Sequence, residues 1–469
     1  MTSRLALGAI FLTTVVGAPL ARAATYTVLH TFSGYSTDGA NPAGGLIADA
    51  NFNVYGTTYE GGAADQGTVF EWAADGPETV LYSFTGLADG GGPEAGLVLG
   101  PNGSLYGTTY FGGAYDYGVV FELTPPAVAG GAWTEAVLYS FTGGPDGGNP
   151  WAGLTLGSNG VFYGTTTGGG LGVGVAFILT PPTSPNGPWT ETVLHNFGSF
   201  TGDGANPYAS LTFGTNGVLY GATESGGSSG YGIVFSLTTG GVLTVLHPFT
   251  GGADGGNPQA GFALDSAGNF YGTTPYGGAG YGVAFKMTEG GTFTLLHTFT
   301  GGTDGAYPFA GLIYSIPDLY GVTYFGGASG GGTLFKMTTA GVKTVQHNFA
   351  AGQYPFGSLV KNSAGTYGTT YYGGSSTDGQ LFSLSTVAGP SIETAPASGN
   401  VGTAVTILGI NSANLTGATS VTFNGTPAAF TVVSSSEITT TVPVGATSGT
   451  VEVVTPSRTL SSDAPFQVP

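Results

Sequence analysis

Tyr26-Thr27-Val28-Leu29-His30-Thr31-Phe32 is a β-like run with no unit before it. Six related runs lie downstream, ending in Phe84, Phe141, Phe197, Phe249, Phe299 and Phe349, and each closes a repeat. The repeat is marked by Tyr-Gly-Thr-Thr or a near copy, beginning at Tyr55, Tyr106, Tyr163, Tyr220, Tyr271, Tyr320 and Tyr367, with successive copies 47 to 57 residues apart. That period suits a propeller blade and is too long for a one-strand solenoid coil. The seventh copy, residues 358–385, has no closing strand after it. A ring in which residues 26–32 complete the last unit explains both the surplus strand and the missing one, and it removes exposed edges.

Within a unit, four short runs rich in Val, Leu, Phe, Tyr and Thr read as strands. In the second unit these are residues 95–100, 104–110, 118–124 and 135–142. Asn102-Gly103 between the first two reads as a type I′ turn, which needs positive φ at both central residues. The third strand always carries a phenylalanine: Phe70, Phe121, Phe177, Phe235, Phe285, Phe335 and Phe382. From about Gly389 the period stops, and alternating runs such as Val405-Thr406-Ile407-Leu408 and Val451-Glu452-Val453-Val454 predict a small β-sandwich. The predicted fold is therefore all-β: a seven-bladed β-propeller over residues 24–387, then an immunoglobulin-like β-sandwich over residues 388–469.

The units resemble the GloVer-type tandem repeats of bacterial exported, "choice-of-anchor" proteins. The resemblance rests on Asn102-Gly103-Ser104-Leu105-Tyr106-Gly107-Thr108-Thr109-Tyr110-Phe111-Gly112-Gly113, then Gly118-Val119-Val120-Phe121-Glu122-Leu123-Thr124-Pro125 and Val137-Leu138-Tyr139-Ser140-Phe141-Thr142. It spans about residues 26–387 and implies an exported β-repeat protein, with no biochemical activity to carry over. Members commonly end in a surface-sorting segment, which is not seen here. The C-terminal stretch looks like an IPT/TIG domain on Pro396-Ala397-Ser398-Gly399, Gly402-Thr403, Val421-Thr422-Phe423-Asn424-Gly425-Thr426 and Val442-Pro443-Val444-Gly445. Such modules usually space or dock other domains.

Residues 1–23 read as a cleavable signal peptide: Arg4, an apolar run over residues 5–18, and Ala21-Arg22-Ala23 at the cleavage site. No apolar stretch is long enough to span a bilayer, so the expected location is secreted or extracellular, with the cell surface as the nearest variant. The 469 residues carry 7 basic and 26 acidic side chains, a net charge of −19, which argues against nucleic acid. With no cysteine there is no disulfide framework, thiol nucleophile or thiolate metal site. No Lys or Arg occurs between residues 24 and 285, which disfavours a sialidase-like arginine cluster and binding of uronates or phosphates.

Two repeated loops are candidate ligand sites. The first follows the fourth strand and carries Asp38, Asp89, Asp146, Asp203, Asp254 and Asp304, each followed by Gly, with Ala351 in the seventh copy. Asp-Gly is a strong turn former; the sharper reading is six carboxylates on one face holding Ca²⁺ or sugar hydroxyls, although calcium needs several oxygens at one point. The second loop joins strands two and three and is Gly-rich and aromatic: Tyr59, Tyr110 with Phe111, Tyr276, Tyr324 with Phe325, and Tyr371 with Tyr372. Rings beside carboxylates suit the C–H faces and hydroxyls of a neutral glycan; packing between blades is the plainer alternative.

All five histidines, His30, His195, His247, His297 and His347, occupy one fourth-strand position, which Tyr82 and Tyr139 fill in the other two copies. Ligands spread round a ring do not converge on a metal, so a packing role is expected, with a Thr of a neighbouring strand as hydrogen-bond partner. The same placement leaves no Ser-His-Asp constellation. The expected function is non-catalytic binding or adhesion, with an extracellular polysaccharide or protein as partner. The alternatives are a glycoside hydrolase using non-repeated acids such as Glu60, Glu94, Asp116 and Glu224, and a structural envelope component.

Overall fold

A computed structural model describes residues 25–74, 76–128, 130–184, 187–362, 365–385, 391–410, 413–462 and 466–469. The signal-peptide reading lies outside these residues. Among them the only helical elements are three short 3₁₀ turns, and no helix is long and apolar enough to cross a membrane.

Each repeat forms one four-stranded antiparallel sheet, and there are seven. The second unit runs Val98–Leu99, Leu105–Thr109, Val119–Thr124 and Thr134–Ser140 in spatial order. Its first strand is shorter than the sequence predicts, because only Val98 and Leu99 pair with the second strand, opposite Tyr106 and Leu105. Asn102 and Gly103 both take positive φ, 60° and 79°, as the turn reading requires.

The tetrad has a steric cause. A Cβ added to Gly107 would stand 2.6 Å from the Phe121 ring, and the same holds for Gly56 against Phe70 and Gly368 against Phe382, both at 2.5 Å. The third-strand phenylalanine therefore lies flat on the second strand only where that strand has no side chain. The following threonine ties one sheet to the next: Thr57 donates to the Ala95 carbonyl at 2.9 Å and Thr273 to that of Ala310 at 2.9 Å. Burying these hydroxyls is tolerable because each finds an acceptor.

Closure is seen directly. Thr25–Thr31 pairs antiparallel with Gln380–Ser385, placing Tyr26 opposite Leu384 and Val28 opposite Phe382. Each fourth-strand phenylalanine then meets the third-strand phenylalanine of the next sheet edge-to-face or tilted. Phe84 meets Phe121 at 5.1 Å, Phe141 meets Phe177 at 5.2 Å and Phe349 meets Phe382 at 5.1 Å. The series returns to its start through Phe32 and Phe70 at 5.2 Å. At the centre, one small residue per sheet (Gly45, Gly96, Gly153, Ser210, Gly261, Gly311 and Ser358) lines a pore.

The C-terminal residues form two further four-stranded sheets. One is built on Ser391–Ala395, Ala404–Ile410, Glu437–Thr441 and Phe430–Ser434, the other on Thr426–Pro427, Ser420–Phe423, Val451–Val454 and Thr459–Ser461. Ile392, Ile407, Phe423, Ile438, Val453 and Phe466 share one core between them.

Candidate binding face

The Asp-Gly loops and the histidines, separate features in the sequence, form one interaction. His30 Nε2 lies 3.1 Å from Asp38, His195 3.0 Å from Asp203, His247 3.1 Å from Asp254 and His297 3.1 Å from Asp304. In the two copies without histidine, the Tyr82 hydroxyl donates to Asp89 at 3.1 Å and that of Tyr139 to Asp146 at 2.9 Å. Backbone N–H groups of Ser33, Thr85, Thr142, Ser199, Thr250 and Thr300 complete each carboxylate. The expectation of a Thr partner is corrected for four of the five histidines, whose partner is the Asp of the loop that follows; His347, whose unit has Ala351 there, stacks on Tyr26 at 3.9 Å instead. These bonds hold Asp38, Asp203 and Asp304 below the usual carboxylate range against the opposing effect of burial. Each Asp is bonded by its own loop and fourth strand, Asp304 also by Lys343 of the next sheet, so the six do not supply one shared shell of oxygens for calcium. Asp116, one of the acids singled out, likewise closes a turn by accepting the Gly112 N–H at 3.0 Å.

The aromatic loops divide by position. Tyr59, Tyr110, Tyr324 and Tyr371 follow the tetrad directly; Tyr324 and Tyr371 line one cavity with Glu94 and Trp151, and Tyr110 packs on Trp151. Phe111, Tyr276, Phe325 and Tyr372 stand one residue later. Phe111 packs on Gly91 and Gly92 of its own Asp-Gly loop, while Tyr276, Phe325 and Tyr372 are exposed. Tyr276 is thus not equivalent to Tyr59, because Pro275 takes the inner place.

Sequence reasoning missed the partners of the inner tyrosines. The residue after the loop proline is Ala43, Glu94, Trp151, Tyr208, Gln259, Phe309 or Phe356, and all seven line one depression over the pore. The signal was present, since this position takes six residue types in seven units beside an invariant proline. Tyr110 meets Trp151 at 5.6 Å, Trp151 meets Tyr208 at 5.1 Å, and Phe309 meets Phe356 at 5.6 Å. A cavity of about 190 Å³ lies among Glu94, Trp151, Tyr324, Phe356 and Tyr371.

The aromatic lining is lopsided. The residue before the proline takes positive φ in all seven units, and in four it is Asn, whose amide donates to the inner-loop carbonyl of the preceding sheet, as Asn149 does to Tyr110 at 3.0 Å. In the sixth and seventh loops Tyr307 and Tyr354 replace it, at φ 57° and 48°. A bulky residue in the left-handed region is strained. Tyr354 stacks on Tyr324 at 5.2 Å, and Tyr307 meets Phe325 at 6.0 Å, thickening the aromatic wall on that side.

Glu94 sits in the cavity wall. Burial, reinforced by the Glu60 charge, pushes its carboxyl up to about 8, so it is largely neutral at pH 7. Glu224 instead accepts a bond from the Gln259 amide at 2.8 Å. Among the described residues, no Lys or Arg lines the depression or the cavity.

The fold and this face define an all-β, propeller-like repeat protein. The chain belongs to the Gloeobacter/Verrucomicrobia repeat family, whose pattern matches residues 6–235 and 210–433. No curated protein matches its sequence. Among solved structures it is similar to a polysaccharide lyase described as an ulvan lyase: 9% identity, 76% of this chain and 94% of that one, TM-score 0.49. It is also similar to a Trypanosoma rangeli sialidase (10%, 78% and 60%, TM-score 0.41) and to a Bacteroides thetaiotaomicron protein of unknown function (14%, 64% and 72%, TM-score 0.39).

Proposed function

We propose that the protein is a secreted, seven-bladed β-propeller followed by an IPT/TIG-type immunoglobulin-like sandwich, and that it binds a neutral polysaccharide at the mouth of the ring. The observation that carries this reading is the aromatic cavity of about 190 Å³ walled by Trp151, Tyr324, Phe356 and Tyr371, with Glu94 in its wall. Flat rings favour the C–H faces of a sugar, and a neutral carboxyl both donates and accepts hydrogen bonds. The absence of a cation there gives uronates and sulfated glycans nothing to pair with.

The test is binding of the full mature chain to a broad polysaccharide array, with Trp151→Ala and Tyr371→Ala beside it. Saturable binding to neutral polymers that both variants lose supports the reading. Absence of binding to every glycan refutes it and turns attention to a protein partner. A second reading, a glycoside hydrolase with Glu94 as proton donor, is favoured by the raised carboxyl of Glu94 beside Glu60. Release of reducing ends from a bound polymer, lost in Glu94→Gln while binding persists, would establish it.

A further inference from the structure

The residue six before each fourth-strand phenylalanine is where a sheet meets the His-Asp or Tyr-Asp pair of the sheet before it or, from the seventh unit, which has no such Asp, His347 alone. That residue is Tyr26, Glu78, Glu135, Glu191, Leu243, Phe293 or Lys343 round the ring. The chemistry is not uniform round the ring. Tyr26 stacks on His347 at 3.9 Å, Phe293 on His247 at 4.2 Å, and Lys343 pairs with Asp304 at 2.9 Å. Among the described residues, only where the ring closes do an imidazole and two carboxylates meet: His30 on the N-terminal strand, Asp38 after it, and Glu78 on the fourth strand of the first unit.

We infer that His30, Asp38 and Glu78 form a binding site for a divalent transition-metal ion that staples the N-terminal strand across the closing joint. His30 Nε2 lies 3.1 Å from Asp38 Oδ1 and 3.8 Å from Glu78 Oε2. All three ligand atoms fall within 4.8 Å of one another. Tetrahedral zinc with bonds of about 2.0–2.2 Å sets its ligand atoms about 3.3 Å apart, close to the His30–Asp38 separation, so Glu78 is the ligand that has to move inward. Glu78 supplies the independent sign of a ligand. Its side chain is 6% exposed and its Oε1 has no hydrogen-bond partner. A buried carboxylate oxygen left unmatched is costly.

The surrounding groups are arranged as supports for a metal carboxylate. The Ser33 N–H and hydroxyl bond Asp38 Oδ2 at 2.9 and 2.8 Å, and the Gly39 N–H bonds Oδ1 at 2.8 Å, so the carboxylate is held in one orientation. Glu135 and Glu191 also leave Oε1 without a partner, but there Tyr82 and Tyr139 stand where His30 stands. A neutral phenol is a poor ligand, so those joints lack the third donor. Imidazole with two carboxylates suits zinc or a neighbouring first-row ion rather than calcium, which takes a larger set of oxygens.

The experiment uses the full mature chain without a histidine tag, freed of metal by chelation, with zinc chloride, calcium chloride and EDTA compared. Calorimetry is expected to show one zinc ion per chain, and the unfolding midpoint to rise with zinc concentration, because only the folded state holds the three donors together. Glu78→Gln and His30→Gln should lose both effects, whereas Glu135→Gln should keep both. Glu78→Gln is isosteric and removes a buried acid, so it folds; circular dichroism checks this. The inference is overturned by absence of saturable zinc binding, by equal binding in folded Glu78→Gln, or by an equal midpoint shift with calcium.

Discussion

Removing the Phe32 ring tests ring closure more sharply than deleting the strand, because it leaves the backbone pairing intact. Phe32 is fully buried. It meets Phe70 at 5.2 Å and packs among Leu46, Val54 and Leu381, which belong to the first and last sheets. Phe141 is its counterpart inside the ring, equally buried and 5.2 Å from Phe177. Truncating a buried Phe to Ala costs about 3–5 kcal/mol, the lost transfer energy plus the cavity left behind. Against a usual total of roughly 5–15 kcal/mol this is a large fraction. If residues 25–31 belong to the closed ring, Phe32→Ala and Phe141→Ala should cost the same to within about 1 kcal/mol, since their surroundings match. Urea unfolding of both variants, followed by tryptophan fluorescence, measures the difference. An N-terminal strand that frays before the ring unfolds would make Phe32→Ala cost less than about 1 kcal/mol while Phe141→Ala keeps its full cost. That result would refute the closure argued from residues 25–31.

Stability should fall as pH rises from about 5 to 8. The Glu94, Glu135 and Glu191 carboxyls are raised from 4.5 to about 8, 7 and 7 by burial and by the neighbouring Glu60, Asp89 and Asp146. Their contribution is complete below the ordinary value and is lost as pH climbs through the raised ones; a denaturation midpoint that rises over this range would contradict it. In the other direction, Asp38, Asp203 and Asp304 are lowered, so their contribution is lost as acid protonates them below the ordinary 3.8. Asp203→Ala strands the His195 ring and the Ser199 and Gly204 N–H groups, and should cost about 1–3 kcal/mol in the same assay. Trp151→Ala should weaken glycan binding by about tenfold or more, worth about 1.4 kcal/mol, while Phe111→Ala, which packs on its own loop, should change it little; equal losses on the array would remove the inner cavity from the site.

The frame was legible because its causes are local. A glycine under each third-strand phenylalanine, an Asn-Gly turn and a strand without a unit can all be read residue by residue. The histidine partner was not legible, for a geometric reason. Alternation would put His30 on the same face as Val28, but the register shifts between them: Val28 faces Phe382 and His30 faces Leu381, leaving Leu29 as an extra residue. The same shift recurs in the first six units, in the second between Val120 and Phe121. A bulge of this kind re-aims the following side chain, here onto the Asp of the next turn. Period-two reasoning has no access to an inserted residue.

The central cavity was hidden for a different reason. Its lining residues, such as Glu94, Trp151 and Phe356, belong to no strand and follow no hydrophobic period. They become neighbours only because seven sheets close round one pore. Within the units almost every position is held by a neighbour: the glycine by a ring, the threonine by a carbonyl, the aspartate by a histidine or tyrosine. The residue after the proline has no such duty, and it runs from Ala43 through Glu94, Gln259 and Trp151 to Phe356. A fold that fixes its frame by repetition is free to vary chemistry where the frame makes no demand. In a closed ring, that freedom at the axis gathers seven side chains of six kinds round one mouth.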